Sequence, residues 1–262
     1  MLTETSLRLR REPEIKVVRG GSGPPLVWLH GMAAPSPDDA VLNALAEDHE
    51  VIAPLMPGLA SLDELAELPT VHDLVLFYDA ILAELGIESA ALVGHGFGAM
   101  LAAELAALSP GRFDCLALVA ALGLWSDDHP VEDIFANRFP DVEAMIWAGC
   151  KTRPALEQSQ DDAVEAYIRF ANALGTMANY TWPIPDRGLK RRLYRIDVPT
   201  LILAARSDAW IPPAYAEDFA ALIEGARTAY LDGGHMAPYE DPAAFARMIG
   251  AFIRGSGKDL AD

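Results

Sequence analysis

A chain of 262 residues with an apolar fraction of 52% has material for one large domain, or for a core domain carrying an insertion. Its formal net charge of -18 repels phosphate backbones and anionic lipid surfaces, which excludes nucleic acid and membrane from the expected partners. The apolar runs fall short of the roughly 18 residues of a membrane helix, and "MLTETSLRLRREPEI" has no apolar stretch ahead of a cleavage site, so a cytoplasmic protein is expected.

Short apolar runs alternate with segments of helical period, the pattern of a parallel sheet covered by helices. "SLRLRR" and "EIKVVRG" read as an antiparallel pair at the sheet edge. "PLVWLH" (25–30), "EVIAPL" (50–55), "AALVGH" (90–95), "CLALVAAL" (115–122), "TLILAA" (200–205) and "TAYLD" (228–232) read as strands buried on both faces, because their apolar residues are continuous. The spacing i, i+3, i+4 predicts helices over 70–85, 98–109, 213–224 and 240–254. Between Trp125 and Arg195 the alternation breaks. Helical segments near 130–150 and 161–178, rich in aromatics and followed by "TWPIPDRG", read as a helical cap over 125–195, inserted into a core of residues 1–124 and 196–262. Cys115 and Cys150 have no metal-ligand spacing and read as reduced thiols.

"LVGHGFGAM" carries the pattern GxGxG across a predicted strand, turn and helix. In a nucleophile elbow the flanking positions, here Gly94 and Gly98, must be small because the turn is so tight. "WLHGM" follows the first central strand, where a loop amide usually completes an oxyanion hole. "RSDAWIPP" sets Asp208 after the strand at 200–205, and "DGGHMAPYEDP" sets His235 after the last strand. Nucleophile site, acid and histidine, each behind its own strand, follow the order of a Ser, Asp, His triad on an open α/β sheet.

On these phrases, jointly and over about residues 15–254, the chain resembles the α/β-hydrolase fold family, in its capped branch of esterases, lactonases and carbon-carbon bond hydrolases. The resemblance implies a mostly parallel twisted sheet flanked by helices with a helical cap. It makes the Met32 and Phe97 amides the oxyanion hole, His235 the general base and Asp208 the residue that orients it. The implied activity is cleavage of an ester or lactone with a medium-sized apolar or aromatic body. No cofactor is implied, and the expected partner is a small-molecule substrate, with the protein a monomer or homodimer. His30, Gly31, Trp125, Trp147, Trp182, Trp210 and Met236 are expected to line the substrate pocket.

The departure from the family lies at Gly96, which stands where the nucleophile belongs. Three explanations are open: a serine hydrolase disabled by Ser→Gly that binds substrate intact; a cofactor-free lyase, isomerase or oxygenase using the Asp208 and His235 dyad directly; or a ligand-binding pseudo-hydrolase. The retained oxyanion loop, acid and histidine disfavour the last. Haloalkane dehalogenase and epoxide hydrolase chemistry need a carboxylate at the elbow. His95 reads as packed away from the pocket, and His49, His72 and His129 as loop or helix-surface residues without metal-ligand spacing. Asp127 or Asp128, after the strand at 115–122, is the alternative acid. Arg138, Lys151, Arg153 and Arg169 are candidate anchors for a carboxylate that read mainly as solvated.

Overall fold

A computed structural model describes residues 1–9, 14–150 and 160–255. The chain opens with β1 (Thr3–Arg8), β2 (Glu14–Gly21) and β3 (Pro25–Leu29), followed by α1 (Ala40–Leu45), β4 (Glu50–Pro54) and α2 (Val71–Glu84). It continues through β5 (Ala90–His95), α3 (Phe97–Leu108) and β6 (Phe113–Val119) to α4 (Phe139–Ile146) and α5 (Gln160–Thr181). β7 (Thr200–Ala205), α6 (Tyr215–Ala220), β8 (Arg227–Leu231), α7 (Ala237–Glu240) and α8 (Pro242–Ile253) complete it.

One eight-stranded sheet has the order β1-β2-β4-β3-β5-β6-β7-β8. β2 runs antiparallel to both β1 and β4, whereas the pairs from β4 through β8 are parallel. After β3 the chain passes to β4 on one side of it, then returns to lay β5 on the other. In open α/β sheets this reversal opens a crevice beyond the strands' carboxyl ends, where ligands bind. The loop after β3 and the turn after β5 are therefore neighbours there.

Sequence and position agree closely along the centre of the sheet. β5 and β7 are buried at every residue, as their unbroken apolar runs predict. β8 departs from expectation: it is the edge strand, so Arg227 is exposed and only Ala229 is fully buried. The helix predicted over 240–254 is α8: Pro242 takes its first turn and the Asp241 side chain caps the Ala244 amide, while the short α7 precedes it. α1, which the apolar spacing did not mark, is a short helix whose Asp39 cap accepts from the Val41 and Leu42 amides. Capping of this kind contributes about 1 kcal/mol.

α3 packs against β3, β5 and β6. It is buried nearly all round, and its small residues let it lie close to the sheet. Its single ionisable residue, Glu104, is 1% exposed and is paired by two hydrogen bonds from the Arg192 guanidinium, the arrangement a buried carboxylate needs. Between β6 and β7, α4 and α5 carry the aromatic cluster of Phe139, Tyr167 and Phe170. α5 is tied to the loop after β4 by the Asn172 side chain, which donates to the Leu59 carbonyl at 3.0 Å.

Candidate active site

The turn after β5 fixes the geometry of the site. Gly96 has φ 58° and ψ -117°, backbone angles that a side chain tolerates poorly and glycine adopts freely. Its neighbours are constrained by space. A Cβ on Gly98 would run into the Leu29 carbonyl of β3, and one on Gly94 would stand 2.6 Å from the Ala99 Cα of α3. Strand, turn and helix thus close on one another, and the N-terminus of α3 begins at Phe97 directly behind Gly96. Gly31 brings the loop after β3 to the same place: its Cβ would lie 3.7 Å from the Gly96 Cα. No backbone carbonyl among the described residues accepts from the Met32 or Phe97 amide, so both N–H groups remain available to an incoming oxygen.

Asp208 and His235 are brought together across 27 residues of sequence. The His235 Nδ1–H donates to Asp208 Oδ2 at 2.9 Å, and both side chains are almost wholly buried, at 0% and 1% exposure. The other Asp208 oxygen, Oδ1, accepts from the Trp210 and Ile211 amides at 2.9 Å each. Burial works against the charged form of Asp208, but the adjacent imidazole and these hydrogen bonds outweigh it and hold the carboxyl below its ordinary value. With the proton of His235 on Nδ1, its Nε2 presents a lone pair. That atom is buried and has no hydrogen-bond partner among the described residues. It faces Gly96, where a Cβ would stand 3.1 Å from it.

The two other histidines near the elbow, His30 and His95, are committed, whereas His72 and His129 are exposed. His30 accepts the Met56 amide at Nε2, at 2.8 Å, and donates from Nδ1 to the Gly31 carbonyl. It braces the loop after β3 as a neutral ring, its pKa lowered by burial to about 4. His95 donates from Nε2 to the His235 carbonyl at 2.8 Å. Burial and the neighbouring His235 lower its pKa to about 3, so it anchors the His235 backbone and is not poised as a substitute base. His49 lies in the turn between α1 and β4, as expected, but is buried there, 4% exposed with Nδ1 3.3 Å from the Leu45 carbonyl.

Of the candidate acids, Asp208 meets His235, while Asp127 and Asp128 are exposed and Asp127 accepts the Trp125 indole N–H. Trp210 lies beside His235, their ring centres 4.8 Å apart, and Met236 is fully buried next in sequence. Trp147 packs edge-on against Tyr239 at 6.3 Å. Trp125 is part-buried, and Trp182 is 55% exposed just past the end of α5. Arg138 and Arg169 pair with Asp141 and Glu165 on the surface, and Lys151 and Arg153 lie outside the described residues.

Two contacts escaped the sequence. The Tyr239 hydroxyl donates to Asp39 Oδ2 at 3.2 Å, joining the histidine loop to the start of α1; a tie across 200 residues leaves no local signal. Tyr180 of α5 stacks on Phe97, ring centres 6.1 Å apart, and donates to the Leu68 carbonyl. The Glu240 carboxylate, inside the quoted phrase "GGHMAPYEDP", accepts the Gly234 amide at 2.8 Å and holds the turn that presents His235.

Comparison with known proteins agrees with this fold. The chain is 28% identical, over 96% of its length, to the polyketide synthase ThaQ of Burkholderia thailandensis, of which it spans 13%. It is 25% identical to the putative carbamate hydrolase RutD of Pseudomonas savastanoi pv. phaseolicola, covering 92% of this chain and 97% of that one. The crystal structure of a membrane phospholipase A, described as a bacterial virulence factor, shares the fold with a TM-score of 0.77 at 22% identity, over 97% of this chain and 86% of that one. A sheet that reverses at β3, a turn after β5 that closes on glycine, and a histidine paired with a carboxylate behind the later strands accompany a match of residues 24–242 to the alpha/beta hydrolase fold, and the chain belongs to that family.

Proposed function

We propose that this protein binds a carbonyl substrate, an ester or lactone with a medium-sized apolar or aromatic body, in a serine-hydrolase-type site whose nucleophile position is Gly96. The observation that carries the reading is the bare Nε2 of His235 aimed at a residue without a side chain. In this reading the Met32 and Phe97 amides polarise the carbonyl, aided by the N-terminus of α3. His235 is the base, and Asp208 fixes its tautomer and would stabilise the imidazolium. Trp210 and Met236 stand against the base, and His30, Gly31 and Trp147 contribute the surrounding wall. With no hydroxyl at position 96 no acyl-enzyme forms, and the substrate is held intact. The carbamate hydrolase named among the relatives is consistent with a site for carbonyl compounds.

A second reading rests on the same lone pair. An imidazole that has no serine to deprotonate is placed to take a proton from the substrate, as a lyase, isomerase or oxygenase would require. Turnover of the protein, Gly96→Ser and His235→Ala on 4-nitrophenyl esters and lactones separates the two. The first reading expects a gain of several orders of magnitude with serine and a burst of 4-nitrophenolate. Absence of any gain overturns it. An activity of the unchanged protein on proton-transfer substrates, lost in His235→Ala, establishes the second.

A further inference from the structure

Buried polar side-chain atoms are nearly always hydrogen-bonded. Among the described residues three lack a partner: Nε1 of Trp28 inside β3, Nε2 of His235, and Oγ1 of Thr176 on α5. The second is the base at the elbow. The third belongs to a residue that is 0% exposed. A threonine inside a helix ordinarily satisfies its hydroxyl on the carbonyl four residues back. Thr181 does so, donating to the Met177 carbonyl at 2.7 Å, whereas Thr176 leaves its own equivalent unused.

The surroundings of Thr176 lead to the site. One helical turn further along the same face of α5 is Tyr180, whose ring lies on Phe97. Opposite the hydroxyl is Gly58, where any Cβ would run into Oγ1. Gly58 is two residues beyond Met56, whose amide is held by His30. The Gly58 amide is itself bound by Glu64 Oε2 at 2.7 Å, so it does not donate to the hydroxyl. A desolvated donor thus sits between α5 and the loop after β4, one helical turn from Tyr180, whose ring stacks on Phe97 at the elbow.

We propose that the Thr176 hydroxyl determines specificity by hydrogen-bonding an oxygen of the substrate several bonds from the reacting carbonyl, so that oxygenated acyl chains are preferred to plain ones. The proposal rests on the reading of the site as one for carbonyl substrates. The probes are 4-nitrophenyl heptanoate and its 4-, 5- and 6-oxo counterparts, with binding followed by quenching of tryptophan fluorescence, Trp210 lying against His235. Thr176→Ser and Thr176→Ala differ only in the hydroxyl oxygen, and both are small enough to fit. One hydrogen bond to the ligand predicts that at least one oxo ester binds about ten-fold tighter than heptanoate to the protein and to Thr176→Ser, and that the preference disappears in Thr176→Ala. Without ligand, Thr176→Ala is expected to melt at or above Thr176→Ser, because the orphaned hydroxyl is gone. A serine variant that melts above the alanine variant would show a structural hydrogen bond and overturn the proposal. So would an oxo preference that is absent or that survives in alanine. Failure of plain heptanoate to bind as well would instead overturn the reading of the site on which the proposal stands.

Discussion

Placing a side chain at position 96 tests the elbow more sharply than removing any residue around it. Gly96→Ala adds a single carbon at φ 58° and ψ -117°, and a residue other than glycine in such a region costs about 1–3 kcal/mol. The new carbon would also stand 3.1 Å from His235 Nε2 and 3.4 Å from Cε1. The imidazole must then retreat by a few tenths of an ångström while keeping its 2.9 Å bond to Asp208. For a chain of this size the backbone cost alone lowers the thermal midpoint by roughly 2–12 °C. Gly96→Ser carries the same backbone cost but offers a hydroxyl to the bare Nε2, which returns about 1 kcal/mol. The expected order of melting is therefore glycine, then serine, then alanine, with 4-nitrophenyl butyrate turned over by the serine variant alone. Calorimetry and steady-state turnover on the same three preparations give both readouts. An alanine variant as stable as the parent would refute the strained turn. Serine and alanine variants alike in both stability and turnover would show that the hydroxyl does not reach the base.

Acid should weaken the fold before the carboxylates titrate. His30 and His95 have folded pKa values of about 4 and about 3, below the ordinary 6.5, so between these limits the unfolded chain binds protons that the folded chain refuses. Stability then falls with pH, by about 2 kcal/mol for each histidine from pH 7 to pH 5. Asp39, its carboxyl raised by burial, offsets part of this. Asp208, held low, contributes above its unfolded value and loses that contribution as pH falls through its folded one. Urea midpoints across this range check the sum, and imidazole Cε1 shifts that titrate near 6.5 for both rings would contradict it. Asp208→Asn keeps an acceptor for the Trp210 and Ile211 amides but turns an amide toward Nδ1, forcing the proton onto Nε2. In the Gly96→Ser background turnover should fall about ten-thousand-fold with the circular dichroism unchanged, and nitrogen NMR should report the reversed tautomer.

The sheet was legible because its central strands are buried on both faces, which leaves continuous apolar runs such as "TLILAA" that no surface strand needs. The dyad was legible because Asp208 and His235 each stand directly behind a strand, so chain order carries spatial order. Where the reading fell short, the cause is a contact between distant segments. Edge position exposes β8, and pairing order alone decides which strand is the edge. His49 is enclosed although it follows a short helix in a turn, since the enclosure comes from neighbours outside its own segment. Tyr239 reaches Asp39, and Tyr180 covers Phe97, without any local period to announce them. Gly96 combines both cases. Its place between Gly94 and Gly98 is written in the sequence, but the close approach of the His235 ring is not. That approach argues that the elbow and the His235 ring form one packed unit, so any side chain placed at position 96 must displace that ring by a few tenths of an ångström as well as fill a space.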